Sequence, residues 1–174
     1  MNGNLMKYKL VRACISDLDD IISFEKSVLN DSSEYSSRRS LYNYIKSLNS
    51  NFLLIKSSNK ICGYGLAVLR HFKNKPSARI LKIAVKSGHR RKGLAVQLLE
   101  ELEQFAVNNS MTGIFAEVRE SNHPSLRLFQ KIGYQKTKTL FGYYSCLDNS
   151  YELENGIKLY KHLVAKRQSL LARD

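Results

Sequence analysis

The apolar run Leu81-Lys82-Ile83-Ala84-Val85 leads closely into Arg90-Arg91-Lys92-Gly93-Leu94-Ala95. A strand therefore enters a short basic turn, and the turn opens an amphipathic helix. The first N–H groups of a helix have no carbonyl four residues back, and the aligned peptide dipoles concentrate positive charge there. Such a terminus suits an anion, phosphate above all. Gly93 lets backbone approach a ligand, Ala95 is too small to block the first turn, and Arg90, Arg91 and Lys92 add whole charges. The chemistry on offer is a grip on a phosphate or diphosphate. A solvated charge cluster at a helix start has the same composition, so the motif needs company. Two other phosphate loops are absent: no G-x-x-x-x-G-K-[ST] occurs, and no G-x-G-x-x-G follows a strand.

The company is Glu117-Val-Arg-Glu-Ser-Asn122-His-Pro-Ser-Leu-Arg-Leu-Phe129-Gln-Lys-Ile-Gly133-Tyr134. A strand ends near Asn122, a short helix follows with Pro124 in its first turn, and Gly133 stops it. Asn122 has the chemistry of a helix cap. Glu117 and Glu120 are the carboxylates of this segment.

The elements that must hold these residues follow from periodicity. Residues 8–15 read as a strand. Ser16 is placed to cap a helix over 17–29, with Leu18, Ile21, Ile22, Glu25 and Leu29 at helical spacing. Residues 30–36 read as a polar loop, and 37–48 as a second helix with Leu41, Tyr44, Ile45 and Leu48 on one face. Strands over 52–56 and 61–69 flank the turn Ser57-Ser-Asn-Lys60. A basic loop, 71–77, precedes a strand over 79–85. The helix over 93–107 carries an apolar stripe, and a strand over 112–118 leads to a helix over 124–132. Strands over 134–143 and 156–162 complete the pattern, and 164–174 reads as a short basic helix or frayed tail. The order β-α-α-β-β-β-α-β-α-β-β predicts a mixed sheet of the α/β (α+β) class with helices on both faces.

The two motifs, at this distance and within this element order, resemble the GNAT superfamily of N-acetyltransferases. The second is similar to the pattern E-V-R-x-S-N-x-x-A-x-x-L-Y-x-x-x-G-F of ribosomal-protein-alanine and other protein N-terminal acetyltransferases. The resemblance covers about residues 7–162 and implies a mostly antiparallel seven-stranded sheet in one domain spanning 1–174, with a basic tail over 163–174. It implies acetyl-CoA as cosubstrate. The strand over 81–85 and the strand from Thr112 would splay, with backbone groups of Ile83, Ala84 and Val85 pairing with the pantetheine arm. Arg90, Arg91, Lys92, Gly93, Leu94 and Ala95 would wrap the pyrophosphate, and Asn122 would bond the arm.

The chemistry so implied is acyl transfer from a thioester to a primary amine. An amine attacks only when neutral, and at pH 7 most are protonated, so a base is needed. Glu117 stands where relatives place that base, and desolvation on an apolar strand would raise its pKa. The alternative for Glu117 is a carboxylate paired with a nearby Arg or Lys, and Glu120 is a second candidate base. Relatives protonate the leaving thiolate with a Tyr where this chain has Phe129. Either the thiolate leaves unaided, or Tyr134, Tyr143 or Tyr144 serves, or the chain is a weak or inactive relative. Relatives that act on protein N-termini carry a similar Tyr-Tyr pair at Tyr143-Tyr144. Strand alternation would let only one of these face the substrate slot, and a plain aromatic pair supporting the sheet is the other reading. Asp148, Glu152 and Glu154, in the segment 147–155, could draw in an ammonium or be solvated.

Composition narrows the classes. With 174 residues, 43% hydrophobic and 25% charged, the chain has the make-up of a globular domain. It has no 18-residue apolar run and no visible signal peptide, which predicts a cytoplasmic protein without membrane contact. Cys14, Cys62 and Cys146 have no zinc or C-x-x-C spacing, and the four His are scattered, so neither a metal nor a disulfide framework is expected. The net charge of +13 implies an anionic partner, or only a Lys-rich solvated surface. CoA accounts for part of it, and a ribosome, an RNA or an acidic polypeptide near the substrate would use the rest. The acceptor expected is a protein N-terminus or lysine. A small amine, an aminoacyl-tRNA acceptor and a non-catalytic CoA- or RNA-binding module are the alternatives, in a monomer or homodimer.

Overall fold

In the computed structural model, residues 7–29, 34–71, 75–145 and 153–164 are described. The elements are β1 (Lys9–Arg12), α1 (Leu18–Val28), α2 (Arg38–Lys46), β2 (Ser50–Ser57), β3 (Lys60–Arg70), β4 (Ser77–Val85), α3 (Leu94–Asn108), β5 (Gly113–Arg119), α4 (His123–Lys131), β6 (Gln135–Ser145) and β7 (Leu153–His162). The expected order is present throughout. The strands form a seven-stranded sheet in the order β1-β2-β3-β4-β5-β7-β6. Every neighbouring pair is antiparallel except β4 with β5.

The apolar stripes decide which helix covers which face. Ile21 and Phe24 of α1 and Leu41 of α2 pack on Phe52, Leu54, Tyr64 and Leu66 of β2 and β3. On the opposite face, Leu94, Leu98 and Leu102 of α3 pack on Leu53, Ile55 and Cys62. Leu99 and Ala106 of α3 and Phe129 of α4 join Ile80, Ile114, Ala116 and Leu159 in a third cluster.

Local chemistry moves some boundaries. β1 is shorter than expected because the chain turns at Cys14: its N–H donates to Asp17 Oδ2 at 2.9 Å, and Lys56 holds the other Asp17 oxygen at 2.6 Å. A short 3₁₀ turn, Ile15–Asp17, leads into α1, so Ser16 is not its cap. Ser37 does cap α2, accepting from Ser40 N at 3.1 Å. That helix stops at Lys46, and Leu48, expected on its apolar face, is 85% exposed. The β2–β3 turn is a two-residue loop with Ser58 and Asn59 both at positive φ, the twist that suits a hairpin. Cys14 and Cys62 are free thiols; Cys146 and the expected tail, 165–174, lie outside the described residues.

Candidate active site

The parallel pair β4–β5 is registered only from Ser77 opposite Gly113 to Ile80 opposite Ala116. Beyond that, Lys82–Val85 pairs only with β3, and Glu117–Arg119 only with β7. The expected splay is present. It begins at a bulge, since Leu66 and Ala67 of β3 stand opposite Lys82 and Ile80 and leave Leu81 as an extra residue. A bulge bends its strand and raises its twist, which turns β4 away from β5. The facing edges of the two strands are left without a ladder.

Two cavities fill the opening. One, about 280 Å³, lies between the strands, with Ile80, Leu81, Ile83, Val118 and Phe129 as apolar wall and Glu117, Tyr64 and Tyr144 among its polar groups. The other, about 460 Å³, runs on past Ile83, Ala84 and Val85 to Arg90 and Ala95, with Asn122, Ser125 and Pro124 opposite. They share Ile83, Asn122 and Ser125, so the channel is continuous. It ends at the start of α3.

That start is built for an anion. The first α-helical bond runs from Gln97 N to Gly93 O at 3.0 Å, so the N–H groups of Leu94, Ala95 and Val96 precede the ladder. Gly93 has φ +77°, and a Cβ there would meet nothing within 4 Å. Glycine is thus needed for the backbone turn, not for space. Arg91 is also left-handed, at φ +63°. Of the residues expected around a pyrophosphate, Arg90 and Ala95 line the channel. Arg90 also donates from Nε to Val85 O at 3.0 Å, which occupies a carbonyl expected to face the arm. Lys92 is turned toward Tyr8, donating to its Oη at 3.0 Å, and Leu94 is buried in the core. Arg91, Lys92, Gly93 and Leu94 contribute no wall to either cavity. Asn122 caps α4, accepting from Ser125 N at 3.2 Å, and it lines both cavities.

Glu117 combines the two environments left open from sequence, being both desolvated on its strand and paired with an arginine. Its side chain is 9% exposed, and Arg79 Nε donates to Oε2 at 2.7 Å. Oε1 has no hydrogen-bond partner among the described residues. Arg79 Nη2 also donates to Tyr143 Oη at 3.3 Å. Glu120 instead accepts from Asn155 and lines neither cavity.

The tyrosine pair departs from simple alternation. The β6–β7 register slips between Leu140 and Tyr144, and Gly142 adopts φ +56°. The slip places both rings against Gly156, whose Cβ would lie 3.1 Å from Tyr143 and 3.2 Å from Tyr144. The rings meet edge to face at 4.9 Å. Tyr144 enters the cavity wall, while Tyr143, 46% exposed, reaches Arg79 at the mouth. Burial chiefly, then Tyr143 and Glu117, push the Tyr144 phenol up to about 12. Tyr134 is excluded as a donor to this cleft. It is 2% exposed in the core, edge to face with Phe129 at 4.9 Å, and burial and the neighbouring Glu103 push its pKa far up. Phe129 itself is 1% exposed yet forms part of the cavity wall.

Three residues that sequence reasoning passed over organise the cleft. Arg79 orients Glu117. Arg119 donates to Glu34 at 2.8 Å, Glu154 at 3.1 Å and Ser145 O at 2.7 Å, and lies 4.6 Å from the Tyr144 ring centre. Burial opposes its charge, but the two carboxylates more than offset that and raise its pKa. Glu154 is therefore tied to Arg119 and to Ser121 N rather than offered to solvent; Asp148 and Glu152 lie outside the described residues. Glu25, 1% exposed, accepts from Ser36 N at 2.6 Å, Ser36 Oγ at 3.1 Å, Tyr64 Oη at 3.1 Å and Lys82 Nζ at 2.8 Å. Among the described residues, no group of three or more His, Cys, Asp or Glu could hold a metal, and no helix is long and apolar enough to cross a membrane.

Comparison with known proteins matches this geometry. An N-alpha-acetyltransferase of Saccharolobus solfataricus is 29% identical over 153 residues, covering 83% of this chain and 90% of that protein. The crystal structure of the ribosomal-protein-S18-alanine N-acetyltransferase from Escherichia coli superposes with a TM-score of 0.75 at 17% identity, over 95% of this chain and 100% of that one. Arabidopsis thaliana NAA60 in complex with acetyl-CoA gives a TM-score of 0.79 at 14% identity, over 90% and 99%. At such identities these two superpositions establish the shared fold. The acetyltransferase (GNAT) family pattern matches residues 16–134, more than half of the sequence, and the chain belongs to that family.

Proposed function

We propose that this acetyltransferase uses acetyl-CoA to acetylate a primary amine, and that the amine is the N-terminus of a polypeptide, with a lysine side chain as the second choice. The observation that carries the reading is the unladdered opening between β4 and β5, ending on the unpaired N–H groups of α3. Backbone groups at that edge need partners, and the amides of a pantetheine arm supply them. The N–H groups of Leu94 and Ala95, the Gly93 turn and the charges of Arg90, Arg91 and Lys92 would hold the pyrophosphate. Ile83, Ala84 and Val85 would carry the arm on one side and Asn122 on the other. The protein N-terminus is favoured because the curated relatives at 23–29% identity are themselves N-alpha-acetyltransferases.

The bound thioester supplies the activated acyl group; the residues supply proton handling and orientation. Glu117 accepts the amine proton, directly or through water, at Oε1, while Arg79 fixes the carboxylate through Oε2. Tyr144 replaces the tyrosine that Phe129 cannot supply, and it acts as a hydrogen-bond donor. A phenol at about 12 does not surrender its proton to a thiolate, whose conjugate thiol titrates near ~8.5. Tyr143, held by Arg79, lines the approach to the cleft.

Thiol release from acetyl-CoA tests this with three acceptors: peptides with free N-termini, N-blocked peptides carrying one lysine, and a polyamine. Release with the free N-termini is expected to dominate; preference for the polyamine, or release with none, overturns the reading. Glu117→Gln should lower kcat by roughly 10²-fold, the lower range of general-base contributions, with the Kd for acetyl-CoA unchanged. An unchanged kcat removes Glu117 as the base.

A further inference from the structure

We infer that the half of the sheet beside the cleft mouth that no described helix covers is a docking strip for an acidic segment of the acceptor polypeptide, downstream of the amine that is acetylated. This rests on the N-terminal reading above. Helices α1 and α2 pack on β2 and β3, and on that side of the sheet β5 and β7 present their second set of side chains. Cross-strand register aligns them: Glu117 opposite Lys158, Phe115 opposite Tyr160, Gly113 opposite His162. Arg79 stands beside Phe115, Lys138 beside Lys158, and Arg70 beside Ser77 at the far end.

The strip starts at the mouth, because Arg79 touches both Glu117 and Tyr143. From the level of Glu117 to that of Gly113 it runs four strand steps, ~13 Å, the span of about four extended residues. Its charge is one-sided. Arg79 and Glu117, the one acid among these aligned positions, match each other, which leaves Arg70, Lys138 and Lys158 as cations. Carboxylates therefore complement the strip.

The aromatic rings argue for a peptide over a nucleic acid. Lys158 Nζ sits 4.3 Å from the centre of the Phe115 ring and takes that face. Tyr160 lies across Gly113, where a Cβ would come within 1.9 Å of its Oη, and meets His162 edge to face at 4.9 Å. Bases need open ring faces on which to stack, and these rings are engaged. Residues 165–174 carry Lys166, Arg167 and Arg173 against Asp174 alone, the same sign as the strip, so they are not its complement.

The test uses the full chain and three peptides sharing their first four residues: the four-residue peptide, one extended by acidic residues, and one extended by the matching amides. The acidic extension should lower KM about five- to tenfold at low salt, the scale of a few exposed ion pairs, with kcat unchanged. The gain should vanish at high salt and in the double variant Arg70→Glu, Lys138→Glu, which should still process the four-residue peptide at the native rate. Equal KM for both extensions, or a gain that survives the double variant, overturns the strip. Fluorescence anisotropy of the labelled acidic peptide gives a reading without turnover: binding should weaken in the double variant, and tighter binding of an oligouridylate would assign the face to nucleic acid instead. Tighter peptide binding after removal of 165–174 would make that segment the native occupant and also overturn the proposal. Failure of the native chain on all three peptides would sink the N-terminal reading, whereas a retained four-residue activity without the acidic gain would sink the strip alone.

Discussion

Tyr144→Phe isolates one hydroxyl. The ring would keep its contact with Arg119 at 4.6 Å and its edge-to-face packing with Tyr143 at 4.9 Å. Oη has no hydrogen-bond partner among the described residues, so stability should change by less than ~1 kcal/mol. If the hydroxyl donates to the departing sulfur, the loss is that of a hydrogen bond to a charged group, ~1.5–3 kcal/mol. That corresponds to a fall in kcat of about 10- to 100-fold, with the Kd for acetyl-CoA unaltered. Single-turnover rates over pH 6–10 provide the assay. Because burial pushes this phenol up to about 12, the donor remains protonated over that whole range. The ratio of native to variant rate should therefore stay flat. A ratio within twofold of unity would refute the role. A ratio that collapses toward unity near pH 10 would show a phenol ionising at its ordinary value and would refute the burial argument. Adding Phe129→Tyr to the variant restores a hydroxyl to the same cavity wall and should recover part of the rate.

The turn before α3 yields a paired prediction. Gly93→Ala should lose ~1–2 kcal/mol of stability through its left-handed φ and leave acetyl-CoA affinity nearly intact, whereas Gly93→Glu should add at least a roughly tenfold rise in Kd, because one unfavourable charge contact of ~1.4 kcal/mol suffices; calorimetric titration distinguishes them, and equal Kd values would deny that an anion sits there. Glu25→Gln removes the charge partner of Lys82 and turns an N–H₂ group toward existing donors, so chemical denaturation should show a loss of ~3–5 kcal/mol; a loss under 1 kcal/mol would mean the four bonds are not made. Tyr64, Tyr134 and Tyr144 all have raised pKa values, chiefly by burial. The unfolded chain releases these protons near pH ~10 while the folded chain keeps them, so it is the folded state that binds more protons and stability must fall as pH rises above ~10. Urea midpoints that hold steady from pH 9 to 11 would contradict that.

What could be read in advance divides by the range of the interaction. Element order, the α3 turn and the Asn122 cap are local, written in periodicity and in residues a few positions apart. The splay was legible only through family resemblance, since nothing local in Leu81 marks it as a bulge; the register of Leu66 and Ala67 against β4 does. For Glu117 the sequence left two environments open, a desolvated base and a carboxylate paired with an Arg or Lys, and could not name the partner. Its partner Arg79 lies 38 positions away and meets it only because the two strands are neighbours. Alternation let only one of Tyr143 and Tyr144 face the slot, and only Tyr144 lines the cavity, but the slipped register and the positive φ of Gly142 bring both rings against Gly156, which alternation does not give. Arg119 was inside the quoted motif but gave no sign that it binds Glu34, 85 positions away, and Glu154. Pairings of that kind need the fold.

The opening between β4 and β5 is a standing cost to the sheet, because a buried backbone group without a partner is unfavourable by a few kcal/mol. The structure offsets it from both sides of the gap. On the β4 side, Lys82 is pinned to Glu25, which also gathers Tyr64 from β3 and Ser36 from the segment before α2. On the β5 side, Arg119 is pinned to Glu34 and to Glu154 of β7. The two networks meet at Glu34, whose backbone carbonyl accepts from Lys82 Nζ and whose carboxylate accepts from Arg119 Nε, so the segment before α2 ties the two splayed strands together across the gap. Ion pairs so placed hold the two strands at a set separation, with Glu34 and Arg119 forming part of the channel wall. That explains why a chain whose charges are mostly basic keeps several of its carboxylates around this one channel, with Glu25 and Glu117 nearly buried. Their work is to hold cations in place, and the cleft they brace is left with apolar walls, the Tyr144 phenol and the oriented Glu117 carboxylate to meet the reacting groups, the Tyr64 phenol being committed to Glu25.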